Sequence, residues 1–281
     1  MEIIKYSNLL SNKIITLKNQ GKTIGFVPTM GALHKGHLSL VEKAGAETDI
    51  VVVSIFVNPA QFNNPDDLKK YPRDLQKDTD LLQNSPCSIV FAPSVEEIYP
   101  ETDTRIFDFG NLDKVMEGKF RPGHFNGVAQ VVSRLFDIVK PDKAFFGEKD
   151  FQQLAIIRDL VKRNSYNIEI VAHEIVREHD GLAMSSRNML LSENLRKKVS
   201  IISQTLYKSS IFAKSNDVNQ TIRFVSESIN SVIDLRVEYF EIVDGNCLQP
   251  VNNWEDSNYI VGCIAVYAGS IRLIDNVIYK R

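Results

Sequence analysis

The stretch "DIVVVSIFV" (49–57) is almost wholly apolar, and most of it is β-branched or aromatic. A run without polar alternation leaves no face for solvent, so it predicts a strand covered on both sides, as in a parallel sheet. Upstream, "TIGFVP" (23–28) reads as a short buried strand. Between them, "HKGHLSLVEKAGAE" (34–47) sets Leu38, Val41 and Ala44 at helical spacing. Residues 23–57 therefore predict a β-α-β unit.

The alternation continues along the chain. "PRDLQKDTDLLQ" predicts a helix with Pro72 near its start, and "SIVFA" (88–92) a strand. "GVAQVVSRLFDIVK" (127–140) is amphipathic, with Val128, Val131, Val132, Leu135 and Val139 on one stripe. A strand "KAFFG" (143–147), a helix "DFQQLAIIRDLVKR" and a strand "IEIVAHEIV" follow. This order predicts an α/β fold with a Rossmann-like, doubly wound parallel sheet over residues 1–179. Beyond that the character changes. One long helix from the N-cap Ser192, a second within 217–233, and three strand-like runs predict a smaller α+β domain over 180–281.

The 281 residues, 43% hydrophobic and 24% charged, suit a globular protein with a sizeable core. A net charge near −2 argues against a nucleic-acid partner. No apolar run approaches the roughly 18 residues of a membrane span, and "MEIIKYSNLL" lacks the layout of a secretory signal. Cys87, Cys247 and Cys263 are odd in number and far apart, which fits neither a disulfide framework nor a zinc site. A cytoplasmic setting is the expectation.

The chemistry concentrates in turns after predicted strands. "PTMGALHKGHLSL" (28–40) follows the first of them. Gly31 and Gly36 allow close backbone approach to a ligand, and a helix starting near His34–Gly36 directs N–H groups and positive charge at the same point. Three readings of His34 and His37 are open: a metal pair, packed or capping residues, or donors to phosphate. Metal pairs on a helix favour i, i+4 with a third ligand, a pattern missing here. In "FVNPAQF" (56–62), Asn58 and Gln61 offer uncharged amides to a small polar substrate, or simply line a polar loop. In "FFGEKDFQQL" (145–154), Lys149 can neutralise phosphate, Asp150 can cap a helix or bind a ribose, and Gln153 lies one turn on. The "HDGLAMSSRN" stretch (179–188) supplies Ser185, Ser186 and Arg187, suited to phosphate but also common in turns. "GKFRPGHFNG" (118–127) carries Arg121 and His124 on a glycine-rich flap or anion contact.

Taken in order, "PTMGALHKGHLSL", "FVNPAQF", "YPRD", "RPGHFNGV", "FFGEKDFQQL" and "AMSSRN" resemble the motif set of the pantothenate synthetase (pantoate–β-alanine ligase) family. The resemblance spans residues 23 to about 190. It implies condensation of (R)-pantoate with β-alanine, cleavage of ATP to AMP and pyrophosphate with Mg2+, a homodimer, and a C-terminal domain that closes over the site. Matched position by position, it assigns the ATP contacts to Met30, Gly31, Ala32, Leu33, His34, Lys35, Gly36 and His37, then Gly147, Glu148, Lys149 and Asp150. The backbone of Val176 and the loop Met184, Ser185, Ser186 and Arg187 complete that set.

The same resemblance makes His37 a proton donor, Gln61 a contact to both pantoate and β-alanine, and Gln153 a second pantoate contact. Asn58, Arg121 and His124 join them as substrate-side candidates. His34, His37, Lys149, Ser185, Ser186 and Arg187 are the candidate catalytic residues, stabilising charge on phosphate oxygens. The helix after "YPRD" reads "DLQKDTDLL", which departs from the acidic stretch the family can carry. The protein ligands of magnesium, Asp78 included, therefore stay unassigned, and ATP and water are left to hold the metal. Closure of the 58–72 loop is expected to exclude water from a reactive intermediate.

Overall fold

The computed structural model describes residues 1–62, 68–69 and 71–281. The chain divides into two compact units. One comprises Met1–Phe109, Arg121–Glu148 and Ile156–Glu174, and the other Gly110–Phe120, Lys149–Ala155 and Ile175–Arg281. Part of the expected 58–72 closing loop, residues 63–67 and 70, lies outside the described residues.

The first unit is built from β1 (Glu2–Ile4), α1 (Ser7–Asn19), β2 (Ile24–Thr29), α2 (Lys35–Glu47), β3 (Ile50–Ile55), α3 (Leu75–Leu82) and β4 (Cys87–Phe91). After these come α4 (His124–Val139), β5 (Lys143–Gly147), α5 (Phe151–Arg163), whose first turn belongs to the second unit, and β6 (Glu169–His173). All six strands pair in parallel, in the order β1-β4-β3-β2-β5-β6. This is the expected doubly wound sheet, with β1 added at one edge.

The β-branched run that predicted it supplies both faces. Val51 and Val53 join Leu40, Val41 and Ala44 of α2 and Leu82 of α3 in one core. Val52 is fully buried on the opposite face of the strand, as is Phe26, which meets Phe136 of α4 edge-on. The expected strand over 168–176 stops at His173, because its neighbour β5 ends at Gly147, the residue paired with His173. An edge strand loses its ladder where its single partner stops.

The second unit carries α6 (Ile201–Phe212), α7 (Val218–Asn230), β7 (Leu235–Asp244), β8 (Ile260–Ala268) and β9 (Ile271–Lys280). The three strands form an antiparallel sheet with β8 in the middle. Alternate residues of β8 serve two cores. Ile260, Ile264 and Val266 pack with Ile202, Leu206, Val225 and Ile229 of the helices. Val261, Cys263 and Ala265 pack with Met116 and Phe151. Both faces of β8 are covered, which is why "IVGCIAVYA" is apolar throughout.

One expectation is corrected. The single helix from Ser192 is two: Ser192 caps a short helix Glu193–Lys198, and the chain breaks at Val199–Ser200 before α6. Val199 and Ile202 both reach the core. The break falls at a serine, a residue that competes for local backbone bonds and favours helix ends.

Candidate active site

In an open α/β sheet, ligands bind beyond the carboxyl ends of the strands, where the strand order reverses. Here that point lies between β2 and β5, with β3 and β4 to one side and β6 to the other. The segment 30–37 leaves the carboxyl end of β2 at this place.

Its backbone is held from below. Thr29 Oγ1 donates to the Ser54 carbonyl at 2.6 Å and accepts the Gly31 N–H at 3.2 Å. Gly31 and Ala32 are both left-handed, with φ of 81° and 50°. The turn presents the Ala32 and Leu33 N–H groups to the Asp78 carboxylate, at 3.0 and 2.7 Å. A Cβ on Gly31 would lie 2.8 Å from Asp78 Oδ2 and 3.1 Å from Ile55 Cγ2, so both its φ and its surroundings demand glycine. Burial pushes the Asp78 carboxyl up, and the two backbone donors oppose that. Asp78 is thus a loop anchor that sequence reasoning left unassigned. A signal was available: Leu75, Asp78, Thr79 and Leu82 share one helical stripe, and Asp78 is the charged member of a face that must be buried.

The two histidines cap α2 reciprocally. His34 is its N-cap, and His34 Nδ1 accepts the Gly36 N–H at 3.1 Å. His37 Nδ1 accepts the His34 N–H at 3.3 Å, closing a capping box built from imidazoles. The ring centroids are 4.1 Å apart. With Nδ1 accepting, a neutral ring carries its proton on Nε2. Each neutral ring then has an Nε2–H to donate. Met30, the first residue of the loop, accepts on its sulfur from the Gln61 amide.

The Gln61 corner is riveted to the start of α4. Asn58 is 1% exposed. Its amide nitrogen donates to the Gly127 carbonyl at 3.0 Å and to Gln61 Oε1 at 3.3 Å. Its oxygen accepts from the Ala60 N–H at 3.2 Å and the Tyr99 hydroxyl at 3.0 Å. All of its capacity is used inside the protein, so it acts on Gln61 rather than outward. Burial pushes the Tyr99 phenol up to about 12, which keeps it a donor. The Gln61 carbonyl lies 2.8 Å from His124 Nδ1, and Arg121 reaches the same oxygen at 3.5 Å. Those two side chains thus meet the main chain of Gln61. A Cβ on Gly127 would stand 2.3 Å from the Ala60 carbonyl oxygen and 2.9 Å from the Gln61 nitrogen. Only glycine lets the helix and the turn approach so closely.

In the second unit, Lys149 and Asp150 lie on the short turn Glu148–Asp150 that follows Gly147. Gln153, half-buried, sits in the first turn of α5. Its neighbour Gln152 is 3% exposed. It donates to the carbonyls of Leu112 and Val115 and accepts from the Glu117 N–H. Glu117 in turn is paired with Arg272 and accepts from the Tyr239 hydroxyl. This network is why 110–120 and 149–155 belong to one unit.

The Val176 carbonyl accepts the Met184 N–H at 2.9 Å, folding 176–184 into a narrow turn. Ser185 Oγ accepts the Arg187 N–H at 3.3 Å, and Ser186 is buried. Sequence reasoning missed Gln152, because nothing in a helical pattern separates it from Gln153.

Among the described residues no group of three His, Cys, Asp or Glu side chains is placed to hold a metal ion. Both Asp78 oxygens are engaged by backbone donors. Among the described residues, those present do not fit a protein-built magnesium site.

A parallel sheet wound on both sides, with an HxGH loop at its switch point, defines an α/β protein of the nucleotide-binding class. The chain belongs to the pantoate–β-alanine ligase family, whose model matches residues 2–278. It is 59% identical to the pantothenate synthetase of Phocaeicola vulgatus and 57% identical to that of Bacteroides thetaiotaomicron, over the full length of each chain. Among solved structures, a pantothenate synthetase from Thermus thermophilus superposes with a TM-score of 0.93 at 41% identity, covering 100% of both chains. A pantoate–β-alanine ligase from Francisella tularensis, solved with β,γ-ATP and β-alanine, gives 0.83 at 37% identity, covering 99% of this chain and 98% of that one.

Proposed function

We propose that the protein condenses (R)-pantoate with β-alanine at the expense of ATP, through a pantoyl adenylate. The reciprocal histidine cap carries the reading: it sets two Nε2–H donors at the start of α2, at the switch point of the sheet. The ligands in the Francisella structure support ATP and β-alanine as substrates, and the family match supports pantoate.

The pantoate carboxylate oxygen attacks the α-phosphorus, an O–P bond forms, and the bond to the bridging oxygen breaks to release pyrophosphate. The amine of β-alanine, neutral once its ammonium proton has passed to solvent, then attacks the acyl carbon; AMP leaves with the bridging oxygen, and the nitrogen releases a second proton to solvent as the amide forms. No side chain needs to be a nucleophile. The protein aligns the carboxylate with phosphorus and stabilises charge on the phosphate oxygens. His34 and His37 donate to those oxygens; Lys149 and Arg187 supply positive charge, and Ser185 and Ser186 supply hydroxyls. The backbone of 30–37 and of 147–150 with Val176 and Met184 receives the nucleotide. Gln61 and Gln153 hold pantoate, and Asn58, Arg121 and His124 fix the Gln61 turn. Magnesium, supplied as its ATP complex, would neutralise phosphate charge without a ligand from the described residues. The family reading extends to a cytoplasmic homodimer.

Incubation with ATP, magnesium, pantoate and β-alanine should yield AMP and pyrophosphate only when both organic substrates are present. Formation of ADP and phosphate instead would overturn the mechanism. Gly127→Ala should raise KM for pantoate by about tenfold or more while lowering kcat less, because it moves the Gln61 turn rather than the phosphate donors. Steady-state kinetics with varied pantoate checks this split.

A further inference from the structure

Strand β9 reads "IRLIDNVIYK" and holds two adjacent buried polar residues, Asp275 at 3% and Asn276 at 5% exposure. Burying such groups costs stability unless each is fully paired, and apolar residues would fill a strand at lower cost. Their partners suggest why they are there. The Asn276 amide donates to the Lys149 carbonyl at 3.1 Å. Asp275 takes a two-pronged contact from Arg177, at 2.8 and 3.0 Å, and also accepts the Asn276 N–H at 2.8 Å. Arg177 follows Val176 directly and donates to the Gly181 carbonyl within the same turn.

Alternation makes this possible. Leu273 and Val277 of β9 pack toward the helices, and Ile274 and Ile278 toward the opposite core. Neighbouring residues on an edge strand therefore reach two different segments. We infer that Asn276 is a positioning residue for Lys149, and that Asp275 holds the 176–184 turn from the same strand. The pair ties two segments assigned to the nucleotide to one rigid element. This rests on the role proposed above for Lys149.

The test is a cycle of four full-length proteins: wild type, Asn276→Ala, Lys149→Ala and the double variant. Asn276→Ala should lower kcat by about tenfold or more, with KM for ATP and pantoate within about threefold, since a misplaced charge acts in the transition state. In the Lys149→Ala background the same change should cost less than about twofold, because the residue it positions is gone. Should Asn276→Ala fail to fold, Asn276→Ser, which keeps a shorter donor, enters the cycle and should show the same coupling. Losses that multiply independently, or a rise in KM with kcat intact, would overturn the inference. A wild-type protein that forms no AMP would instead overturn the reading of Lys149 on which it rests.

Discussion

Replacing His37 by asparagine is expected to cost about 10²–10³ in kcat, or roughly 2.7–4 kcal/mol of transition-state stabilisation. The asparagine Oδ1 occupies the place of Nδ1 and can still accept the His34 N–H, so the capping box survives. What is lost is the Nε2–H donor. Thermal stability should therefore stay within about 1 kcal/mol of wild type, a shift in Tm of about 2–4 °C. His37→Ala removes the acceptor as well and should lose a further ~0.5–2 kcal/mol of stability, the usual worth of an N-cap partner. Kinetics and melting curves on both variants separate the two roles. A near-normal kcat in the asparagine variant would leave His37 as a cap alone.

Lys149→Ala should fall as far, again by about 10²–10³ in kcat. Its backbone is fixed through the Asn276 contact, and that bond does not depend on the side chain. The loss should hence appear in rate rather than in folding. Lys149→Arg should recover little, because a planar fork does not deliver charge where a compact ammonium does. Turnover of the alanine variant within about threefold of wild type would remove Lys149 from the catalytic set. A Tm drop matching the loss in rate would point to a structural role.

The sheet was legible because its signal was strong and local. The run 49–57 read as a strand covered on both faces and 143–147 as a strand, and β3 and β5 lie there, inside the sheet. The N-terminal β1 and α1 were not legible. Among α1 side chains only Leu10 and Ile14 are buried, Leu9 and Ile15 are exposed, and no side chain caps its start. Such a helix has little amphipathic stripe for a reader to find.

At the site, the residues proposed to face a ligand were easier to name than those that hold them. His34, Gln61 and Lys149 lie in strand-end turns, where position itself suggests contact. Asp78, Gln152 and Asn276 lie inside regular elements. Their importance comes from partners 45, 37 and 127 positions away, separations that periodicity cannot read. Asn58 shows the opposite error of emphasis. Its amide suggested substrate recognition, but its four bonds turn inward and support Gln61.

The central claim is that the pantoate carboxylate itself attacks the α-phosphorus. Pantoate labelled with ¹⁸O in both carboxylate oxygens, turned over with ATP and β-alanine, tests this directly. The mechanism predicts AMP carrying one ¹⁸O on phosphorus, seen as an isotope shift in ³¹P NMR, with the other label retained in the amide product. Unlabelled AMP, or ¹⁸O in inorganic phosphate beside ADP, would contradict it.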